Sequence, residues 1–155
     1  MFNHSLESFL QSKGVKFKVL AFKGSTITVE DAVKQLKVPK ERIIKSILFV
    51  DEKGLPVLAV VTGDHRVDEE KLAKACGAKK VRKARPKAVK NITGYEVGAL
   101  PPLGHKKPIK TFIDPKVMKY ETVFGGGGAI NKLLEIDPQD LKRLTNATIA
   151  TISMK

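Results

Sequence analysis

The chain has 155 residues, 42% of them hydrophobic, which is enough for a domain with a buried core and argues against a disordered chain. No apolar run approaches the length of a membrane span, the first residues lack the basic and apolar parts of a signal peptide, and the single cysteine, Cys76, allows no intrachain disulfide. These features predict a cytoplasmic protein. The formal net charge of +13 at pH 7 attracts polyanions, of which nucleic acid is the most common.

The first half of the chain shows helical and strand periodicity in turn. The spacing of apolar residues predicts helices over 5–13 and 28–36 and strands over 15–22, 43–50 and 55–61. Thr28 can open the second helix as a capping box. The last two strands are joined by Asp51-Glu52-Lys53-Gly54, which predicts a hairpin. Both strands are apolar with little alternation, so we expect both faces of the sheet to be covered.

The second half of the chain consists of shorter elements. The pattern predicts helices over 68–75, 86–91 and 138–144 and strands over 79–83, 109–113 and 147–152. Asp68, Asp114 and Asp137 can each cap the start of a helix, and proline follows the last two. No repeat, low-complexity tract or linker divides the chain. We therefore expect one domain, 1–155, of the α/β class around a mixed sheet.

Conventional catalytic and metal-binding motifs are missing from the sequence. The three histidines, His4, His65 and His105, are far apart in the chain and do not pair at the spacing of metal ligands. There is no Gly-x-Ser-x-Gly elbow, no phosphate-binding P-loop and no dinucleotide fingerprint. An enzyme with this sequence must work with few side chains.

Lys45 is the most unusual charged residue, because it lies inside the apolar run 43–50 and a buried ammonium group is costly without a partner. It can hold a phosphate or stabilise a developing oxyanion. A lysine that reaches solvent from the edge of the strand is the alternative. Strand alternation places Ser46 on the opposite face and places Lys45 on one face with Ile43, Ile47 and Phe49.

Two glycine-rich segments are further candidates. In 94–107, Gly98 lets the backbone approach a ligand and Pro101-Pro102 stiffens the chain, so backbone groups can bind a carbonyl and position a water. A structural turn is the competing interpretation. In 125–128, which the segments 122–124 and 132–136 flank, successive N–H groups can form an anion-binding nest, and a flexible loop fits the pattern equally well.

Much of the positive charge lies in residues 79–90, which contain seven Lys and Arg and no acid. Aromatic residues are only 6% of the chain, so we expect contacts to phosphates rather than stacking on bases. A lysine-rich solvated surface is the alternative. The residues predicted to contact a nucleic acid backbone are Lys79, Lys80, Arg82, Lys83, Arg85, Lys87, Lys106 and Lys107.

Three segments in this order, 44–48, 72–81 and 93–107, resemble the YbaK-like aminoacyl-tRNA deacylases, which are relatives of the editing insertion domain of bacterial prolyl-tRNA synthetase. The resemblance covers nearly the whole chain. The Gly-x-x-x-Pro loop of that family falls on Gly98 to Pro102, and its lysine falls on Lys45.

The resemblance implies a compact α/β domain with a curved mixed sheet flanked by helices, and an enzyme that hydrolyses the ester of mischarged tRNA in trans without a cofactor or metal. In the family, lysine engages the substrate near the terminal adenosine, the loop backbone positions the carbonyl and a water, and the terminal ribose hydroxyl is thought to assist. Because an aminoacyl ester is already activated, positioning and electrostatics can suffice.

The same resemblance places Lys45 and Gly98 at the catalytic positions. The residues that it implies in substrate binding are Ser46, Ala99, Leu100, Pro101, Pro102, Gly126, Gly127 and Gly128. It makes aminoacyl-tRNA the partner of the basic residues, with an aminoacyl-tRNA synthetase as a further candidate partner and no membrane. A catalytically inactive module that binds the tRNA acceptor end is the alternative function.

The chain departs from the family pattern at two places. Leu100-Pro101 stands where members commonly have a smaller hydrophobic residue followed by Ser, and 126–131 lacks a basic pair that members often carry. Both changes concern the pocket wall or the terminal adenosine. We expect them to affect amino-acid specificity more than the type of reaction.

Overall fold

Residues 5–155 are described by a computed structural model, in which five α-helices and eight strands are interspersed along the chain; His4 lies outside these residues. The helices are α1 (Leu6–Ser12), α2 (Val29–Leu36), α3 (Glu69–Cys76), α4 (Pro86–Thr93) and α5 (Pro138–Thr145). The strands are β1 (Phe17–Ala21), β2 (Ile44–Asp51), β3 (Pro56–Thr62), β4 (Val81–Lys83), β5 (Lys110–Ile113), β6 (Val123–Gly126), β7 (Lys132–Ile136) and β8 (Thr148–Ile149). Short 3-10 turns cover Lys40–Arg42, Val97–Ala99 and Pro115–Lys119.

Capping side chains begin the helices as predicted. The Thr28 hydroxyl accepts the Asp31 N–H at the start of α2, and the Asp68 carboxylate accepts the N–H groups of Glu70 and Lys71 at the start of α3. Gly77 ends α3 with a φ of +73°, a conformation that favours glycine. These local signals act within one turn of the chain, which is why they could be read from the sequence.

The strands form two sheets rather than one. The larger sheet has the order β4-β2-β3-β5-β8 and is mixed, with β4, β2 and β3 antiparallel and with β5 parallel to both β3 and β8. The smaller sheet, β1-β7-β6, is antiparallel. A parallel bridge between Ile43 and Phe124 connects the two. The α/β class with a mixed sheet and the β2–β3 hairpin are confirmed, whereas the pairing of β1 with β7 is too distant in sequence to leave a local pattern.

Both faces of the larger sheet are covered, as predicted. On one face α3 contributes Leu72 to a core that also contains Phe49 and Ile152. The other face packs against α1, α4, α5 and the smaller sheet. Helix α2 covers the outer face of the smaller sheet through Ala32. The N-terminal half of β2 therefore lies where the two sheets, α2 and the glycine-proline loop (Gly98 to Pro102) meet.

The last predicted strand is shorter than expected, because β8 ends at Ile149 and not at residue 152. The N–H groups of Ile152 and Ser153 instead donate to the buried carboxylate of Asp114. Ser153 also forms an antiparallel bridge with Val67. A side chain thus replaces a neighbouring strand as the partner of this backbone.

Candidate active site

Lys45 lies near the start of β2, on the face that also carries Ile47 and Phe49. Its partner across the hairpin is Val61, which is fully buried. The predicted alternation is confirmed for Ile47 and Phe49, but Ile43 precedes the strand and packs with the residues under α2. Lys45 and Ile47 line two separate spaces, which we call the apolar pocket and the cationic cleft.

The apolar pocket has a volume of about 180 Å³, and five parts of the chain line it, one of which is Gly125-Gly126. Ile27 belongs to the segment before α2, Ile44 to β2, Leu100 to the glycine-proline loop and Leu133 to β7. Apolar side chains and backbone therefore form most of its wall. A space of this kind accepts a small uncharged group.

Backbone packs directly on backbone at the floor of this pocket. A Cβ atom on Gly126 would overlap the carbonyl oxygen of Leu100, and one on Gly125 would lie 3.0 Å from Cγ1 of Ile44. Both glycines belong to β6, and the N–H groups of Gly127 and Gly128 donate to the carbonyls of Lys132 and Ala99. The prediction of an anion-binding nest over 125–128 is therefore wrong, because these N–H groups are already used inside the protein.

Gly98 lines the apolar pocket, but its missing side chain serves a different contact from the one expected. A Cβ atom on Gly98 would lie 2.8 Å from Cγ2 of Ile27, so the glycine makes room for this side chain. Its φ is not in the left-handed region. Backbone conformation does not require glycine here, whereas any larger residue would have to displace the Ile27 side chain at the pocket mouth.

The loop from Gly98 to Pro102 is held on both sides. The N–H of Gly128 donates to Ala99 O at 2.9 Å. The Nε2–H of His105 donates to Pro101 O at 2.7 Å, which identifies the tautomer because a carbonyl only accepts. Burial lowers the pKa of His105, although this hydrogen bond opposes the shift. A neutral His105 thus holds the loop backbone that faces the pocket.

The predicted substrate-binding residues divide into two groups. Ser46, Leu100 and Gly126 line the apolar pocket beside Lys45 and Gly98. The others form the support behind the lining, and they are Ala99, Pro101, Pro102, Gly127 and Gly128.

The Ser46 hydroxyl is a second polar group at this pocket. Its oxygen is buried and has no hydrogen-bond partner among residues 5–155. A buried hydroxyl without a partner is costly, and a polar group of a ligand can remove that cost. Ser46 lines the apolar pocket as Lys45 does, although strand alternation directs the two side chains to opposite faces of β2.

The cationic cleft has a volume of about 480 Å³ and brings Arg66 and Lys83 beside Lys45. Burial is the main factor that lowers the pKa of Lys45, and the charges of Arg66 and Lys83 lower it further. Asp64 and Glu30 partly oppose the shift. Arg66 was not identified from the sequence, since it lies in the turn after β3 and no periodicity directs that turn toward Lys45.

The predicted tRNA-binding residues are not brought together. Lys83 lines the cationic cleft, whereas Lys80 and Arg82 line a separate groove at the hairpin turn. Lys106 and Lys107 line a third cleft, which also contains residues of α1 and α5. Alternation along β4 causes the first division, because consecutive strand residues face opposite sides of a sheet. Their RNA contacts stay a prediction.

The described residues also bear on two other kinds of feature, metal clusters and membrane-spanning helices. Over residues 5–155 no three His, Cys, Asp or Glu side chains are grouped closely enough to hold a metal ion. The helices of this part are also too short and too polar to span a bilayer. Cys76 is partly buried, and its sulfur lies 3.5 Å from the carbonyl oxygen of Ala73.

Comparison with known proteins gives a consistent result. The family model described as aminoacyl-tRNA editing domain matches residues 24–144. EbsC of Enterococcus faecalis, described as a candidate Cys-tRNA(Pro)/Cys-tRNA(Cys) deacylase, is 33% identical over 129 residues, which are 83% of this chain and 79% of that protein. The proline–tRNA ligase of Brachyspira hyodysenteriae is 32% identical over 100 residues, which are 64% of this chain and 17% of the ligase.

A solved structure shares the fold. The crystal structure of a candidate trans-editing enzyme for prolyl-tRNA synthetase superposes with a TM-score of 0.82 at 32% identity, covering 90% of this chain and 87% of that one. The range matched by the family model includes every residue that lines the apolar pocket. Met154, which lines the cationic cleft, lies beyond that range.

Proposed function

Since the chain belongs to the family of aminoacyl-tRNA editing domains, we propose that it hydrolyses the ester bond of mischarged aminoacyl-tRNA in trans. The observation that carries the proposal is the position of Lys45. Its side chain is partly buried, and Lys45 lines the apolar pocket together with Ser46, Gly98 and Leu100. In this pocket a small aminoacyl group has apolar walls for its side chain and polar groups for its ester.

These residues would assist hydrolysis mainly by stabilising charge in the transition state. A water oxygen bonds to the ester carbonyl carbon, the bond from that carbon to the ribose oxygen breaks, and the proton passes to the ribose oxygen. The transition state carries negative charge on the former carbonyl oxygen, and the Lys45 ammonium can stabilise it in a site that excludes bulk water. The loop backbone and Ser46 orient the ester, which lowers the entropy cost of attack.

The size of the apolar pocket supports a small, uncharged amino acid as the group removed. Apart from Lys45, the described residues that line the pocket carry no charge, so a basic substrate side chain has no partner there and an acidic one could pair only with Lys45. Leu100 and Pro101, where the chain departs from the family pattern, lie in and directly behind the pocket wall. Differences of one methylene group are only weakly distinguished by such walls, so we expect a preference rather than absolute selection.

The test is a single-turnover assay with one tRNA charged in turn with alanine, cysteine, serine and an amino acid with a long charged side chain. We expect ester cleavage of the small amino acids by the wild type and not by Lys45→Ala. Lys142→Ala, which removes an exposed lysine of α5, is the matched control and should behave as the wild type. Binding of tRNA without cleavage of any ester would instead support the inactive acceptor-binding module.

A further inference from the structure

Three cations and one acid line the cationic cleft. Lys45, Arg66 and Lys83 form no ion pair within 4.0 Å with any acid among residues 5–155. The carboxylate that lines the cleft is that of Glu69, and the rest of its lining is apolar. Like charges held close to an apolar floor repel one another and attract an anion strongly. The cleft therefore has the charge of an anion-binding site.

The larger sheet holds two of these cations on one face. Lys83 pairs with Phe49 in the ladder between β4 and β2, and Phe49 lies on the same face of β2 as Lys45. Lys45 and Phe49 are four positions apart in β2, a distance of roughly 13 Å along the strand. Two long basic side chains can thus approach the same group from opposite ends of the cleft.

The third cation is anchored by the end of the chain. The carbonyl of Arg66 accepts the N–H of Met154 at 2.7 Å, and Val67 forms a bridge with Ser153. Lys71 Nζ donates to the carbonyl of Ser153 at 3.1 Å. Met154 itself lines the cleft and is about half exposed, at 48%. Met154 is therefore part of the cleft wall, and the segment 152–154 holds the backbone of Arg66 and Val67.

A buried carboxylate fixes this wall. Asp114 is only 1% exposed, and its Oδ2 accepts the N–H groups of Ile152 at 3.1 Å and Ser153 at 3.0 Å, while its Oδ1 accepts the Lys116 N–H at 3.0 Å. Hydrogen bonds to an ionised acceptor are the strong ones. The cleft is thus built in advance of any ligand, which reduces the entropy cost of binding.

We propose that Arg66 and Lys83 bind the phosphodiester nearest the 3′ end of the acceptor strand and so guide the ester past Lys45 into the apolar pocket. This proposal rests on the proposed function. The two spaces share Lys45 and Ile47 in their linings. In an aminoacylated terminal nucleotide the ester and the 5′-phosphate are carried by the same ribose, so one ligand can occupy two neighbouring spaces. Arginine matches the two oxygens of a phosphate with parallel N–H groups.

The experiment uses the full chain and two forms of one aminoacyl-tRNA. In one form the last internucleotide phosphate is native, and in the other it is an uncharged methylphosphonate. We expect the neutral linkage to lower kcat/KM of the wild type by about tenfold, the effect of removing one charge-assisted hydrogen bond. Arg66→Gln and Lys83→Gln should each lower kcat/KM for the native form and cause little further loss with the neutral form, because the partner is already absent.

Controls separate this role from a structural one. Arg66→Lys should recover part of the difference in kcat/KM between the native and the neutral tRNA form. Lys74→Gln, on the exposed side of α3, should keep all of that difference. Thermal unfolding should show that the variants fold. Equal loss on both tRNAs in Arg66→Gln and Lys83→Gln, or no loss on either, overturns the proposal. The proposal is also overturned if inorganic phosphate inhibits the enzyme while the neutral linkage leaves kcat/KM of the wild type unchanged, since the cleft then binds a free anion. If the wild type cleaves neither ester, the proposed function itself fails, and affinities for the same two tRNAs without the amino acid still test the cleft.

Discussion

The apolar pocket and the cationic cleft share Lys45 and Ile47 and differ in every other lining residue. The pocket is closed by apolar side chains and by backbone that tolerates no Cβ at Gly126. The cleft is more than twice as large, is charged, and has Met154 in its wall. Under the functions proposed above, the two spaces divide two tasks: shape in the pocket would limit which aminoacyl group enters, and Arg66 and Lys83 in the cleft would hold the RNA. Lys45 lies at the wall that the two spaces share.

The largest effect is expected from Lys45→Ala, which removes the residue common to both spaces. Hydrolysis should fall on the order of a hundredfold or more on the native and neutral tRNA forms alike, as for the loss of an electrostatic stabiliser. The measurement is single-turnover hydrolysis beside thermal unfolding, with Lys142→Ala as control. Near-wild-type turnover by a folded variant would remove Lys45 from the mechanism.

Lys45→Ala should also change how the unfolding free energy depends on pH. Burial and the two neighbouring cations hold the pKa of Lys45 below its usual 10.5 in the folded state. Between the lowered value and 10.5 the unfolded chain binds more protons, so the unfolding free energy of the wild type gains a contribution as pH rises through this window. Lys45→Ala should lack that gain. Wild-type hydrolysis should decrease over the start of the same window, as the ammonium is lost.

Gly98→Ala tests the pocket alone and should lower hydrolysis about tenfold on both tRNA forms. The added methyl group meets Cγ2 of Ile27, which must move at the mouth of the pocket. Ile27 is 49% exposed and can give way, so the stability loss should stay near or below about 1 kcal/mol. Combining the change with Ile27→Ala should recover part of the rate, whereas equal losses with and without Ile27 would mean that the loop itself has shifted.

Asp114→Asn tests the wall of the cleft. The substitution turns a side-chain NH₂ toward buried N–H donors, so we expect a loss of about 2 kcal/mol in unfolding free energy and a severalfold rate loss that is larger for the native tRNA form. Asp140→Asn, which changes a surface pair with Arg143, should alter neither quantity. A rate loss equal on both tRNA forms would show that this wall supports the pocket as well.

The Asp114 carboxylate also predicts acid sensitivity. Burial alone would raise its pKa, but hydrogen bonds from Lys116, Ile152 and Ser153 hold the pKa below the usual 3.8. Its stabilisation is therefore present above 3.8 and is lost as pH falls through the lower folded-state value. Asp114→Asn should lack this loss, which equilibrium unfolding in acid can measure.

The smallest effect is expected from the basic residues outside both spaces. Replacing Arg82 and Arg85 with alanine should weaken binding of every tRNA alike. The slope of the logarithm of affinity against the logarithm of salt concentration should flatten by about one for each phosphate that the variant no longer neutralises. The amino acid removed should not change. Lys83→Ala should also flatten the slope, but it alone of the three should alter the preference for the native linkage. An unchanged slope in Arg82→Ala/Arg85→Ala would assign these residues to the solvated surface.

The sequence by itself determined the features that arise within a few residues of chain. Thr28 and Asp68 cap the helices that they were predicted to begin, and the turn before Leu55 joins the two apolar strands. Lys45 was singled out because a charge inside an apolar run has a cost that needs no knowledge of the fold. The family pattern then indicated which loop accompanies it, and Gly98 and Leu100 do line the same pocket as Lys45.

The tertiary structure decided what distant segments do to one another. It placed Gly125 and Gly126 in a strand by pairing them with β7, and it filled the space above Gly98 with Ile27. It separated Lys83 from Arg82 across the two faces of a sheet and brought Arg66 beside Lys45 through contacts with the end of the chain. These outcomes depend on pairing and burial between residues far apart in sequence, for which a single sequence carries no periodic signal.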